Sequence, residues 1–553
     1  MNPETKTCQN CKEDFVIEPE DFVFYEKMNV PAPTWCPLCR QIRRLVFRNF
    51  KTLYRRPSSK SGKMIISMYS PDVPFPVYES KEWYSDDWDA TTYARDFDFS
   101  RPFFEQLKDL HDVVPRMALS DNKSVDCEYS NMTLGSSRCY LVFGCVEDEE
   151  CDYGHIVWFS KNSLDNLYLF KCEFCYECID CLNCNQLFYS QECESCADSV
   201  GLFDCRGCTN CIGCVGLRSK SYCIFNQQVS KEDYKKFLED HPLSNSETIA
   251  YIQSMVTELQ KQVPKPEFFG SHNVDVSGNH VYNAHNVHHS FDVKSGENSK
   301  YGYTTNKFID SYDIGFSPSA EKSYESMTIY GSDIIGSQII VDCAFLSYCD
   351  SCYSSQNLFG CMGLRQKSYC ILNKQYTKEE YEALVPQIIE HMKETGEWGQ
   401  FFPMWLSPFA YNEAIVNEYT PKTREEVLNA GLRWKDDIPS TIGQETINHD
   451  ALPKDPHSYD PTYLMGQILK CDSCDKNYRL IEREITFYKR YGLPLPRKCF
   501  NCRHKERMEK RPPRIIKDAL CMNCGKGIKT SYNLGPKKDD IVYCLSCYQQ
   551  AVV

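Results

Sequence analysis

The sequence predicts a multidomain, mainly β chain with helices, in which terminal zinc ribbons flank a duplicated β-solenoid. Three observations predict it. Cysteines come in C-x-x-C pairs at both ends, one signature occurs twice in the middle, and short β-prone runs recur before each signature. At 553 residues the chain is too long for one core, and its 42% hydrophobic and 13% aromatic content is enough to fold several.

The first ribbon reads Cys8-x-x-Cys11, then 24 residues, then Cys36-x-x-Cys39. Near the other end Cys471-x-x-Cys474 is followed by the same 24-residue spacing and Cys499-x-x-Cys502. Phe24-Tyr25 matches Phe487-Tyr488 between the pairs, so one module is used twice. A third ribbon, Cys521, Cys524, Cys544 and Cys547, follows the second. Two knuckles joined by a hairpin bring four thiolates to one tetrahedral zinc and leave no open coordination position, which makes these sites structural. The expected cofactor is about three zinc ions per chain.

The counterpart of the third ribbon after the first is residues 57–83. Val77-Tyr78 matches Val542-Tyr543, but Pro57, Lys60, Glu79 and Glu82 stand in the ligand places. The expectation is a ribbon without metal, held by Ile65, Ile66, Tyr69, Val77 and Trp83.

In the middle, Cys214-Val-Gly-Leu-Arg-Ser-Lys-Ser-Tyr-Cys223 recurs as Cys361-Met-Gly-Leu-Arg-Gln-Lys-Ser-Tyr-Cys370. Each copy runs into a helix opened by a capping box, Ser230 to Asp233 and Thr377 to Glu380. Ser290, Ser311 and Ser332 start similar runs at steps of 21 residues, which suggests solenoid coils of that length. The domain reading is 1–56 ribbon plus basic helix, 57–125 degenerate ribbon and adaptor, 126–228 Cys-rich solenoid half and 229–265 helical cap. It continues with 266–376 second solenoid half, 377–436 helical segment, 437–464 linker, and ribbons at 465–515 and 516–553.

In the Cys-rich half, Cys172, Cys175, Cys178, Cys181 and Cys184 recur every third residue, followed by Cys193/Cys196 and Cys205/Cys208/Cys211/Cys214. A straight strand alternates every two, so turns are expected there, either packing cysteine as a small apolar residue or holding zinc or an iron–sulfur cluster. His280, His285, His288 and His289 lie in a polar stretch and read as solvent-facing coil residues.

The chain has 33 cysteines, an odd number, and opens MNPETKTCQN without a basic start or apolar h-region. Together these point to thiolate metal sites and a cytoplasmic location rather than a disulfide framework. No apolar run is long enough to cross a membrane. A net charge of −14 restricts any nucleic-acid role to a local patch. Such patches follow the first two ribbons: Arg40, Arg43, Arg44, Arg48 and Lys51, and Arg503, Lys505 and Arg507 are the expected phosphate contacts. A solvated face neutralised by the chain's own carboxylates is the alternative. No Walker loop, dinucleotide fingerprint or nucleophile elbow is present, so nothing commits the chain to catalysis.

Cys36-Pro-Leu-Cys39-Arg-Gln-Ile-Arg-Arg, Ile65-Ile-Ser-Met-Tyr-Ser-Pro-Asp, Asp96-Phe-Asp-Phe-Ser-Arg-Pro-Phe-Phe-Glu-Gln and Gly396-Glu-Trp-Gly-Gln-Phe-Phe-Pro carry a resemblance. The chain resembles a group of cysteine-rich zinc-ribbon proteins of candidate-phyla (Patescibacteria) bacteria, over nearly its whole length. The resemblance implies cysteines where this chain has Pro57, Glu79 and Glu82, and implies no particular reaction. The function expected is a non-enzymatic zinc-binding scaffold for a macromolecule, nucleic acid first. The alternatives are a protein–protein scaffold with purely structural zincs, or a redox or metal-cluster protein using the central cysteines.

Overall fold

The computed structural model describes residues 2–532 and 540–552. It is mainly β with helices, and the chain divides into two compact units built from interleaved segments. One contains the chain up to Leu119, Phe269–Ile438 and Arg514–Ile516; the other contains Ser120–Phe268, Pro439–Pro513 and the chain from Lys517 on. Each unit therefore holds one solenoid. The second solenoid belongs with the N-terminal ribbon, and the first with the two C-terminal ribbons.

Both solenoids are built from a tripeptide step. In the first solenoid every third residue holds a left-handed backbone, as at Lys171, Phe174, Glu177, Asp180 and Asn183, with φ between 52° and 53°; the second follows the same step but skips corners, as at Ser295, Lys307 and Ser319. Each such residue turns the chain through a corner, so the residues between corners can face one axis. Cys172, Cys175, Cys178, Cys181 and Cys184 are all buried in one core with Cys193, Cys196, Cys205, Cys208, Cys211 and Cys214. The expectation that a period of three cannot send every sulfur inward holds only for a straight strand; the corners overturn it. The left-handed conformation costs a non-glycine residue about 1–2 kcal/mol, which the coil-to-coil hydrogen bonds and inward packing must offset.

A coil is 12 residues long, because the Cys172 amide meets the Ser160 hydroxyl, 12 residues back, in the neighbouring coil. Strand Leu167–Phe170 pairs in parallel with His155–Trp158 at that separation, and so do Asn185–Phe188 and Ala197–Val200. The expected 21-residue coil is not found. Ser290 and Ser311 face inward, but 21 residues is a whole number of tripeptides and not of coils.

Interior polar atoms are satisfied by the same step. Ser190 donates to the Phe188 carbonyl at 2.9 Å and accepts from the Leu202 amide at 2.9 Å. Cys178 donates to the Tyr176 and Leu187 carbonyls at 3.5 and 3.1 Å. Serine and cysteine are interchangeable in this role, which explains why the second solenoid keeps few cysteines and places Ser299, Ser311, Ser323 and Ser337 inward. Where it uses a large residue, the chain makes room: Phe308 is buried against Gly302, whose added Cβ would come within 2.4 Å of the ring.

Each solenoid runs into a capped helix. The Ser230 hydroxyl accepts from the Asp233 amide ahead of helix Lys231–Asp240, and Thr377 and Glu380 form a reciprocal box ahead of Lys378–Glu394. Tyr234, and Tyr381 with Ile388, are the buried contacts of these helices. Of the four histidines read as solvent-facing, His285 and His289 are exposed, whereas His280 is buried and stacked on Phe269. Among the described residues no helix is long and apolar enough to cross a membrane.

Replacing Cys178 by Ser is expected to shift unfolding by no more than about 1–2 kcal/mol, since the hydroxyl meets the same carbonyls. Cys178→Leu should cost more, because the core has no space for it. Thermal denaturation of the two variants tests the order.

Candidate metal centres and their clamps

Each intact ribbon begins as a β-hairpin whose turn holds the first C-x-x-C. In the first, Glu4–Thr7 pairs antiparallel with Asp14–Ile17, and the second pair opens helix Pro37–Leu45, with Cys36 as its N-cap. Cys499 and Cys544 cap helices Phe500–Glu509 and Leu545–Ala551 in the same way. The four sulfurs of Cys8, Cys11, Cys36 and Cys39 lie within 4.8 Å of one another, as do those of Cys471, Cys474, Cys499 and Cys502, and those of Cys521, Cys524, Cys544 and Cys547. The Cys11–Cys36, Cys474–Cys499 and Cys524–Cys544 sulfurs are 3.7, 3.7 and 3.8 Å apart. Four thiolates around a tetrahedral ion with bonds near 2.3 Å require about 3.8 Å between sulfurs. The three groups could each hold a metal ion.

The knuckles also favour the thiolate. Amides of Cys36, Cys499 and Cys544 each donate to the first sulfur of their group at 3.2 Å. Burial raises the Cys471 and Cys521 thiols, yet these and neighbouring amides bring them down to about 7 and about 6. Among the described residues, no central cysteine joins a group of three ligands that could share an ion. Burial pushes Cys145, Cys151 and Cys193 well above the ordinary thiol range, which holds these three as neutral thiols.

The degenerate ribbon keeps the shape without the sulfurs. Tyr54–Pro57 pairs with Met64–Ser67 as Lys517–Leu520 pairs with Gly527–Thr530. Pro57 opposes Met64 where Leu520 opposes Gly527, so the knuckle starts one residue later than the sequence comparison placed it. Ser58 and Ser61, not Pro57 and Lys60, occupy the first two ligand places; Glu79 and Glu82 occupy the others. The backbone agrees: Ser58 N–H donates to the Lys63 carbonyl and Gly62 to Ser58, as Cys521 donates to Lys526 and Gly525 to Cys521. The Ser58 hydroxyl donates to the Glu82 carboxylate, which also accepts from the Glu79 amide at 3.0 Å. Against the raising effect of burial, the Ser58 and Ser61 hydroxyls hold that carboxyl below its usual value. Trp83 is buried beneath, with its indole N–H on the Pro115 carbonyl.

The basic helices overturn the phosphate-contact expectation for most of their residues. Arg40 and Arg44 are fully buried, with 1% and 0% exposure. Arg40 pairs with Asp313 at 2.8 Å, and Arg44 bridges Asp313 at 3.0 Å and Glu325 at 2.7 Å. Arg43 binds Glu325 and Gln400 at 2.8 Å each, while Arg48 reaches Thr328 and lies over Phe50 and Phe316. Lys51 pairs with Glu418 at 2.9 Å. In the other unit Arg503 pairs with Asp165 at 2.9 Å, and Arg507 bridges Asp165 at 3.1 Å and Glu177 at 2.7 Å. Of the eight expected phosphate contacts, Lys505 alone is mostly exposed, beside Glu509.

These contacts are one device used twice. Arg40 and Arg503 each follow the fourth cysteine, donate to the carbonyl five residues back (Trp35, Lys498), and lie 5.1 Å over a tyrosine, Tyr301 or Tyr153. Arg44 and Arg507 each fork onto an aspartate and the glutamate one coil further on. Nothing local to these arginines marks their partners, because Asp313 is 273 residues from Arg40 and Asp165 is 338 from Arg503. Phe24 stacks on Tyr312 at 3.8 Å, and Tyr488 meets Tyr176 edge-on at 5.6 Å, so the shared Phe-Tyr pair docks each ribbon on its solenoid.

No family model matches the chain, and no curated protein matches it significantly. Among solved structures, one similar chain is described provisionally as an acetyltransferase from Desulfovibrio desulfuricans G20. It is 9% identical, with a TM-score of 0.10, and the match covers 48% of this chain and 71% of that one. A likeness at that level carries no argument about fold or function.

Two outcomes are expected. Truncating Arg44 or Arg507 to Met leaves a carboxylate pair buried without its fork, at a cost of about 3–5 kcal/mol. Metal release to a chromogenic chelator should then accelerate on the order of a hundredfold. Second, combining Ser58→Cys, Ser61→Cys, Glu79→Cys and Glu82→Cys should add one metal ion per chain by elemental analysis, because the backbone of that knuckle is already formed.

Proposed function

We propose that the chain is a non-enzymatic binding scaffold in which structural zinc ions fasten ribbon modules onto β-solenoids, leaving the solenoid faces to meet a macromolecular partner, a protein in the first instance. Zinc is the ion of choice because four thiolates in a closed tetrahedral set suit it and offer no position to a substrate. One observation carries the reading: the helix that completes each of the first two metal sites spends its arginines on carboxylates of its own unit. A cation held between two buried carboxylates is not on offer to phosphate, so the ribbons serve as clamps and recognition falls to the repeating outer surface.

The test is metal content against stability and binding. Protein purified without added metal should carry about three zinc ions and no iron. Chelation should lower the thermal midpoint, since binding energy in such ribbons is folding energy. Arg44→Met and Arg507→Met should change stability and leave any affinity for RNA or DNA unmoved. Salt-dependent nucleic-acid binding that disappears in these variants, at unchanged stability, would reject the reading.

A further inference from the structure

The second solenoid carries a groove on its outer surface. Its volume is about 640 Å³, and its lining includes Tyr330, Gly331, Asp342, Ser354, Gln356 and Gln366. Tyr330, Asp342, Ser354 and Gln366 are all exposed; Asp342, Ser354 and Gln366 follow one another at 12-residue steps, and Tyr330 stands on the preceding coil, opposite Val341 beside Asp342. Parallel coils lie about 4.8 Å apart, so a carboxylate, a hydroxyl and a carboxamide follow at even intervals with an aromatic ring at one end.

The groove sits on an irregularity. Tyr330 opposes Val341 and Gly331 opposes Cys343, which leaves Asp342 as the extra residue of a bulge. Gly331 allows the close approach there: a Cβ on it would fall 2.2 Å from the Cys343 carbonyl oxygen. Pairings in the first solenoid keep the 12-residue separation from Val125 to Arg218. The second solenoid shifts register at Val276/Gly278, Gly315/Ser319 and Tyr330/Gly331, and the last of these shifts lies in the groove.

We propose that this groove binds a short, linear, neutral oligosaccharide. The floor is too polar for an apolar ligand. Its one lysine, Lys367, is already paired with Asp89 at 2.9 Å and Glu321 with Lys307 at 3.9 Å, which leaves Asp342 to repel a phosphate. Hydroxyl, carboxamide and carboxylate groups together donate to and accept from sugar hydroxyls. The exposed ring of Tyr330 offers a flat face for the C–H side of a pyranose. The interval between coils is close to the length of one sugar unit, so successive rings of a linear chain meet successive coils. The inference goes beyond the scaffold reading, because the groove contains no part of a ribbon.

The experiment is titration of the full-length, metal-loaded chain with maltotriose, cellotriose, xylotriose and triacetylchitotriose, followed by calorimetry. At least one should bind saturably in the millimolar range or below. Tyr330→Ala and Asp342→Ala should each weaken that binding at least about tenfold, with zinc content and thermal midpoint unchanged. Absence of saturable binding by all four sugars overturns the proposal, as does binding that both variants retain. Neither result bears on the zinc stoichiometry or chelator sensitivity that test the scaffold.

Discussion

Left-handed corners set three residues apart, unbroken in the first solenoid and skipped at Ser295, Lys307 and Ser319 in the second, are the constraint on which both units rest. They turn the chain so that positions three apart share the axis, and they stand in columns one coil apart. The interior then needs small side chains that satisfy backbone carbonyls, and cysteine and serine meet that need equally well. The corners make the clamps. Asp165 and Glu177, and Asp313 and Glu325, are all left-handed corner residues, stacked on adjacent coils. A guanidinium with two separated donor edges fits such a pair as a lone ammonium would not.

Metal and ion pairs support one another. Cys36 and Cys39 lie on the same helix start as Arg40, Arg43 and Arg44, so an ion that fixes the two thiolates also fixes where three guanidinium groups emerge. Arginine is buried at this depth only because its charge is matched; unmatched, the cost would be several kcal/mol. Conversely, a ribbon that lost its partner carboxylates would keep its four thiolates but be fastened to the coils by little more than the aromatic contacts of its Phe-Tyr pair. The third ribbon shows how far the ion can be dispensed with. Its relative at Ser58, Ser61, Glu79 and Glu82 holds the same turn by hydrogen bonds, where a large packed residue, Trp83, lies beneath it.

The metal tetrads were legible in the sequence because a C-x-x-C knuckle is local and its 24-residue spacing repeats. The duplication and both capping boxes were legible for the same reason. The coil length was not, since serines at 21-residue steps mark a multiple of the tripeptide rather than of the coil. The left-handed corners were hidden because they fall on residues such as Phe174 and Tyr168 that rarely adopt them, with no run of glycines to announce the pattern. The fate of the basic helices was also hidden: Ile42, Leu45 and Val46 advertised an apolar face, but Arg40 and Arg44 are buried as deeply as Leu45. Charge read from sequence says that a guanidinium is present, not which carboxylate waits for it 270 residues away.

The two solenoids show what the constraint leaves free. Their clamp columns hold acids, because the arginines require them, and their axes hold mostly cysteine, serine and aliphatic residues that pack between the corners. Faces away from the clamps carry neither requirement. There the first solenoid stays regular, with charged ladders such as Arg138, Glu149 and Lys161 closing on one another. The second breaks register at Tyr330 and Gly331 and opens a concave surface. A fold whose stability is supplied by its ribbons and inward stack tolerates such a break on an outer face, since the 12-residue pairing resumes from Gly331 and Cys343 onward. Divergence between duplicated halves is therefore most informative on the faces where neither clamp nor core dictates the residue.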